Sequence, residues 1–337
     1  MHDIKLAGYL LAPLRSIQQD DIRAFLGARK GVYICPCPTD NWFRKQGIRQ
    51  VETFHSEKKL RMFAQMAEGS FFISPTPFLG RGISAKATSV DGIFHLVVPR
   101  LPRRLIQGIH IIQVIAFLIR NHSRFTYCLV YNFEQWYYLA ALFAKYVLGK
   151  KLYVDFEDDY LLRNPSRLSA VALRLTYRAA DGVICIHEEM RRYFKMRRAI
   201  TFNAFADLSY ISTTPVVLRE GMSFLYSGTI DAIRGADLIP TLVLELRKSL
   251  SSFRIVVTGS GPLEKEVSTW RLPEVDFKGF LSNNDLTQLV SNVDACLVLQ
   301  RPDHSFCKGS FPSKIDLYAR FKKPILVLRT IRPRGNS

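Results

Sequence analysis

Three short apolar runs late in the chain stop at glycine: Phe224 to Thr229 at Gly228, Phe253 to Pro262 at Gly259 and Gly261, and Val275 to Phe280 at Gly279. Two more apolar runs, Ala295 to Leu299 and Pro324 to Leu328, follow them, and helix-length stretches such as Ala236 to Leu250 separate the members of the set. Runs this short, apolar along their whole length rather than at alternate positions, suit strands covered on both faces, which is the condition of a parallel sheet crossed by helices. In such a sheet ligands sit beyond the carboxyl ends of the strands, where glycine lets the backbone approach and removes the side chain that would block it.

The segment Phe311-Pro312-Ser313-Lys314-Ile315-Asp316-Leu317-Tyr318 adds a proline turn, a fresh helix start and a lysine just before the last apolar run. Unpaired amide donors in a first helical turn, the positive end of the helix dipole and a nearby ammonium together favour an anion, and a diphosphate fits that description.

The same alternation runs through the first half. Lys5–Leu11, Gly31–Cys35, Phe71–Ser74, Phe94–Val98, Tyr127–Tyr131, Lys151–Phe156 and Gly182–Ile186 read as strands, Gln135–Leu148 and Leu168–Ala180 as helices. The pattern breaks into Ser, Thr and Pro between Ala206 and Arg219, with Thr213-Thr214-Pro215 at the centre. At 337 residues the chain exceeds what one core supports, so two domains are expected, 1–212 and 213–337, each a Rossmann-like, doubly wound α/β unit.

The series FLYSGTIDAIRGADLI, FRIVVTGSGP, VDFKGFLSNNDLTQLVSNVDACLVL and FPSKIDLYARFKKPILVL resembles the nucleotide-sugar-binding half of GT-B glycosyltransferases, in particular family 4, the bacterial surface-polysaccharide type. Upstream, KKLYVDFEDDY and AADGVICIHEEMRRYF are similar to the late strands of that family's first domain. The resemblance implies two domains facing a central cleft. It also implies transfer of a sugar from a nucleoside-diphosphate sugar to a saccharide or lipid-linked saccharide acceptor, with retention of configuration and no obligatory metal or cofactor. The alternative is a non-catalytic GT-B-like protein that binds nucleotide or a partner.

By that resemblance Arg234 and Lys314 pair with the donor diphosphate and neutralise it as the glycosidic bond breaks. Gly228, Thr229 and Ser313 lie against the phosphates, and Gly279 and Phe280 follow the strand where the family lays its nucleobase; each also has a plain reading as a turn, a cap or core. Asp155-Phe156-Glu157-Asp158-Asp159 crowds carboxylates at the end of an apolar strand, an arrangement that repels itself unless cations or hydrogen bonds relieve it. Alternation puts Asp155 and Glu157 on one face and carries Asp158 and Asp159 into the loop. Asp158 and Glu157 are therefore the catalytic candidates, with Asp159, His187 and Asn203 at the acceptor side of the cleft.

Lys and Arg number 47 against 29 Asp and Glu, a formal charge of +18, so the partner is polyanionic or lies on an anionic surface. No zinc-finger, RNA-recognition or helix-turn-helix signature accompanies the scattered basic residues, which sets nucleic acid aside. The cysteines at 35, 37, 128, 185, 296 and 307 lack paired CxxC spacing, so no metal site is expected and a reducing cytoplasm is the simplest setting. Lys5 to Leu14 reads as a strand, with no cleavage site of a signal peptide. Leu105 to Ile119, preceded by Arg100, Arg103 and Arg104, is too short and too often interrupted to span a bilayer; it is either a core helix or one lying at the membrane interface.

Two departures from the family pattern stand out. Its paired glutamates would fall at Gly309 and Leu317, and the nearest carboxylate, Asp316, is turned about 100° away along a helix. A glutamate placed at Leu317 is expected to tighten donor binding. After Leu328 the chain resembles neither strand nor helix, so the last strand–helix units are expected to be missing, an edge of the second sheet to stand exposed, and turnover to be slow.

Overall fold

The computed structural model describes residues 5–8, 19–37, 54–75, 88–90, 92–96, 103–131, 135–157, 167–185, 198–202, 217–301 and 314–329. The chain divides into two compact units, Ile17–Ala204 and Met1–Ser16 together with Phe205–Ser337.

The first unit is built on an eight-stranded sheet. Its strands are β2 (Gly31–Ile34), β3 (Phe71–Pro75), β4 (Thr88–Val90), β5 (Ile93–Leu96), β6 (Tyr127–Tyr131), β7 (Lys151–Phe156), β8 (Gly182–Cys185) and β9 (Ala199–Thr201). They lie in the order β4-β5-β3-β2-β6-β7-β8-β9, every neighbouring pair parallel except β4 with β5. The order reverses at β2 and β6, which makes their carboxyl ends the switch point of the sheet. Among the described residues the helices are α1 (Gln19–Leu26), α2 (Phe54–Ala64), α3 (Arg103–Arg120), α4 (Gln135–Tyr146) and α5 (Arg167–Ala179). Right-handed crossovers place helices that precede a move in one direction on one face and the rest on the other. Accordingly Ile22 and Phe25 of α1 and Met62 of α2 share a core with Tyr33, Leu129 and Tyr153, while Tyr177 of α5 meets Phe156 on the opposite side of the pleat, ring centroids 5.5 Å apart.

The second unit carries β1 (Lys5–Gly8), β10 (Met222–Ser227), β11 (Phe253–Thr258), β12 (Val275–Phe277), β13 (Ala295–Val298) and β14 (Ile325–Arg329), in the order β1-β14-β13-β10-β11-β12. Helices α6 (Ile239–Leu246), α7 (Glu264–Ser268), α8 (Asn283–Asn292) and α9 (Lys314–Arg320) connect them. Its strands are parallel except β1, so the two α/β sheets of parallel type are those expected, each reversing its order once. The strand bounds agree with the apolar runs to within a few residues. The reason is local: β-branched and aromatic runs broken by glycine have few other conformations open to them.

One expectation is corrected. The edge of β14 is not left bare: β1 pairs with it antiparallel, Lys5 opposite Arg329 and Gly8 opposite Leu326. The first strand of the chain therefore belongs to the second sheet rather than to the head of the first, and satisfies the backbone groups of an edge that would otherwise invite association.

Candidate functional site

In the second unit the carboxyl ends of β10, β11 and β12 are tied into one shelf by their glycine turns. The Gly228 amide donates to the Thr258 carbonyl at 3.1 Å, the Gly259 amide to the Gly279 carbonyl at 2.9 Å, and Thr258 Oγ1 to that same carbonyl at 2.7 Å. A Cβ on Gly259 would stand 1.8 Å from the Gly228 carbonyl oxygen, so no other residue fits there. The Gly228 amide is thus engaged by Thr258, which joins the end of β10 to that of β11.

The order of this sheet reverses between β10 and β13, and the loop after β10 lies across that point. Asp231 shapes the loop by accepting the Arg234 amide at 2.7 Å and the Arg234 guanidinium at 2.6 Å. Gly235 follows with φ of +76°, and a Cβ there would meet the Leu299 carbonyl oxygen at 2.1 Å, so the loop rests directly on the backbone beyond β13. Arg301 fastens the same two segments: its guanidinium donates to the Ala232 carbonyl at 3.0 Å and to Asp237 at 2.6 Å, and its amide donates to the Ile233 carbonyl. From α9 the buried Tyr318 hydroxyl accepts the Ser227 amide at 3.2 Å, locking the end of β10 to the helix that Lys314 opens. Lys314 is partly buried there, and burial pulls its ammonium down to about 8.

Arg234, Gly228, Thr229, Gly235 and Lys314 therefore belong to the carboxyl-edge apparatus of one sheet. Gly279 (φ +62°) opens the turn after β12, and Phe280 is 62% exposed, which removes its reading as core and leaves an aromatic face at that edge. Asp316 lies in α9, its side chain outside the described residues, as are Ser313, Asp158, Asp159, His187 and Asn203. Leu317, the position matched to the family's second glutamate, is only 3% exposed and packs inward. A glutamate there would bury a carboxylate at a cost of several kcal/mol, so the expected gain in donor binding is withdrawn.

In the first unit the crowded carboxylates prove to have a partner. Lys59, fully buried on α2, bonds both Asp155 and Glu157, the latter at 2.8 Å, and lies 3.9 Å from the centre of the Tyr131 ring. The Tyr33 hydroxyl donates to Asp155 at 2.5 Å, and the Tyr131 hydroxyl to Glu157 at 3.3 Å. Burial works to lower the Lys59 pKa, but Asp155 and Glu157 outweigh it and hold the ammonium above its ordinary value. Burial and then Asp155 hold the Tyr33 hydroxyl well above its own. Glu157 thus reaches the carboxyl edge of β7 already paired, a fixed acceptor rather than a free base. The sequence carried a signal for this that spacing exposes: Lys59, Met62 and Met66 fall on one helical stripe, and a lysine among core positions needs a buried anion. Arg301 and Tyr318 carried no such signal.

Among the described residues no group of three or more His, Cys, Asp or Glu is arranged to hold a metal, and Cys35, Cys37, Cys128, Cys185 and Cys296 are buried. No helix of the described residues is long and apolar enough to cross a membrane.

No protein-family model matches the chain, and no curated protein sequence does. Solved structures do. A sucrose-phosphate synthase from Thermosynechococcus elongatus superposes with a TM-score of 0.59 at 12% identity, over 88% of this chain and 80% of that one. A trehalose-6-phosphate protein from E. coli, bound with UDP-2-fluoro glucose, gives 0.56 at 10% identity over 87% and 82%. HepE of Anabaena in complex with UDP-glucose gives 0.52 at 13% over 88% and 79%. At these identities the likeness is one of fold, and the fold is that of the GT-B glycosyltransferases.

Proposed function

We propose that this chain is a glycosyltransferase that takes a sugar from a nucleoside-diphosphate donor. The observation that carries the reading is the switch point of the second sheet, where Asp231 orients Arg234 over a loop that Gly235 seats on the backbone of Leu299. A cation held at the carboxyl edge of a parallel sheet, beside glycines that keep the backbone open, suits a diphosphate. Lys314 is the second cation for that charge, and Phe280 offers a ring to the nucleobase. The structural neighbours include proteins holding UDP-glucose or UDP-2-fluoro glucose, which makes uridine donors the first to try.

In this reading the second unit binds the donor and the first presents the acceptor, a saccharide or lipid-linked saccharide, with Asp158 and the Lys59-held Glu157 at its edge. The finer assignment is a retaining, family 4 type enzyme of surface-polysaccharide synthesis, working without an obligatory metal or cofactor on the cytoplasmic face of the membrane. A second reading, a nucleotide-binding protein without transfer activity, is favoured by one observation: the buried Leu317 stands where the family pattern has a carboxylate.

A thermal-shift panel of UDP, GDP, ADP and CDP with their sugars, followed by donor hydrolysis, separates the two. At least one diphosphate should raise the unfolding midpoint, and Arg234→Ala should weaken its binding by about 1.5–3 kcal/mol, the range for hydrogen bonds to a charged group. Hydrolysis or transfer selects the enzyme, and binding without either selects the second reading. No response to any nucleotide refutes both.

A further inference from the structure

Helices α3, α4 and α5 form one layer on a single face of the first sheet, α4 packed between the other two. Phe117 anchors α3 on Phe71 and Phe94, each at 5.3 Å between centroids, and His110, Val114 and Leu118 complete its buried side. The outer side is unlike that of an ordinary surface helix. Leu105, Ile112 and Ile119 recur every seven residues, two helical turns, and all are exposed, Ile112 by 68%. Leu139 and Tyr146 repeat the spacing on α4, and Val171 and Leu175, each 50% exposed, stand one turn apart on α5.

Charge on this layer has one sign. The three helices contain no Asp or Glu, whereas Arg120, Arg167, Arg174 and Arg178 are exposed among the aliphatic side chains. Both α3 and α5 begin with arginine and have no acid in the first turn, the reverse of what the positive end of a helix dipole favours. The aliphatic stripes leave much of their surface in water, and the arginines stand exposed beside them. A nucleic acid would engage the arginines and leave the aliphatic groups in water, and an apolar protein groove would cover the aliphatic groups and strand the arginines. The interface of an anionic bilayer accepts both, guanidinium groups at the phosphates and aliphatic ends at the acyl boundary.

We propose that the acid-free α3–α4–α5 layer docks the protein on an anionic lipid surface. The proposal assigns a surface to the membrane location named above, and it rests on the composition and exposure of these helices rather than on the donor site.

The test uses the full chain with phosphatidylcholine vesicles, with and without phosphatidylglycerol, by sedimentation at 150 mM salt, with UDP binding measured in parallel. The protein should partition onto the anionic vesicles and leave the neutral ones. Arg174→Glu with Arg178→Glu should weaken partitioning at least about tenfold, since each basic group near the surface carries about a severalfold effect. Ile112→Ser with Leu175→Ser should weaken it severalfold. Arg219→Glu with Arg271→Glu, the same charge change at exposed positions of the second unit, should leave it within about twofold. All variants should keep the unfolding midpoint and UDP affinity of the parent, so loss of vesicle binding is distinguishable from failure of the donor-site reading. Equal binding to neutral and anionic vesicles, no binding to either, or equal damage from the control pair overturns the proposal. So does self-association without lipid that Ile112→Ser abolishes, which would assign the layer to a second copy of the chain.

Discussion

If Lys314 meets the donor diphosphate, raising the pH should weaken nucleotide binding in a window where an ordinary lysine would do nothing. Burial sets its ammonium at about 8 in the free protein, against 10.5 for an exposed lysine. The charged form is the one that binds phosphate, so affinity is largely present below pH 8 and is lost above it. Between pH 7.5 and 9.5 the protonated fraction falls from about three quarters to about 3%, a loss of about 25-fold or about 1.9 kcal/mol, within the range of about 1.5–3 kcal/mol that a charged hydrogen bond supplies. A lysine at 10.5 would lose only about a tenth of its charge over that range. The phosphate does not confuse the window, because its last proton, with a pKa of about 6, has already gone. Calorimetry in two buffers of different ionisation enthalpy should also show uptake of about half a proton at pH 8. Unliganded stability should move the other way: from pH 8 to 10.5 the unfolded chain holds more protons than the folded one, so stability rises with pH. Lys314→Met should flatten the affinity profile and bind more weakly at pH 7.5. An affinity constant across pH 7.5–9.5 in the parent protein, without proton uptake, would refute the placement of Lys314 at the diphosphate.

Lys59→Met should cost about 3–5 kcal/mol in urea unfolding at pH 7, because Asp155 is left as a buried anion beside Tyr33. Since Lys59 is held above 10.5, the contribution of its charge is complete below that pH and is lost only as pH rises through the raised value; a change under about 1 kcal/mol at pH 7 would show that the ion pair is not the organising contact. Lys322, the one non-glycine with positive φ among the described residues (+53°), closes α9: its amide donates to the Ala319 carbonyl and the Lys323 amide to the Tyr318 carbonyl. Lys322→Gly should therefore stabilise the chain by about 0.5–1 kcal/mol in thermal unfolding, glycine removing the left-handed strain at this helix end; a loss of stability would mean that the lysine side chain matters more than its backbone.

The sequence by itself determined the elements and the positions where the backbone must come close. Apolar runs ending in glycine became β10, β11 and β12, and Gly235 and Gly259 became contacts that admit no Cβ, since conformational preference and side-chain volume are properties of the residue itself. The order of motifs likewise placed Arg234 and Lys314 at the carboxyl edge of one sheet. What only the tertiary structure decided are the pairings between distant segments. Lys5 lies opposite Arg329, Lys59 bonds a carboxylate 96 residues away, and Arg301 reaches back to the loop that Asp231 shapes. A strand edge accepts any partner with free amides and carbonyls, and a buried ion pair needs only an opposite charge at the right depth. Nothing local selects among the candidates, so the choice falls to the topology that brings them together.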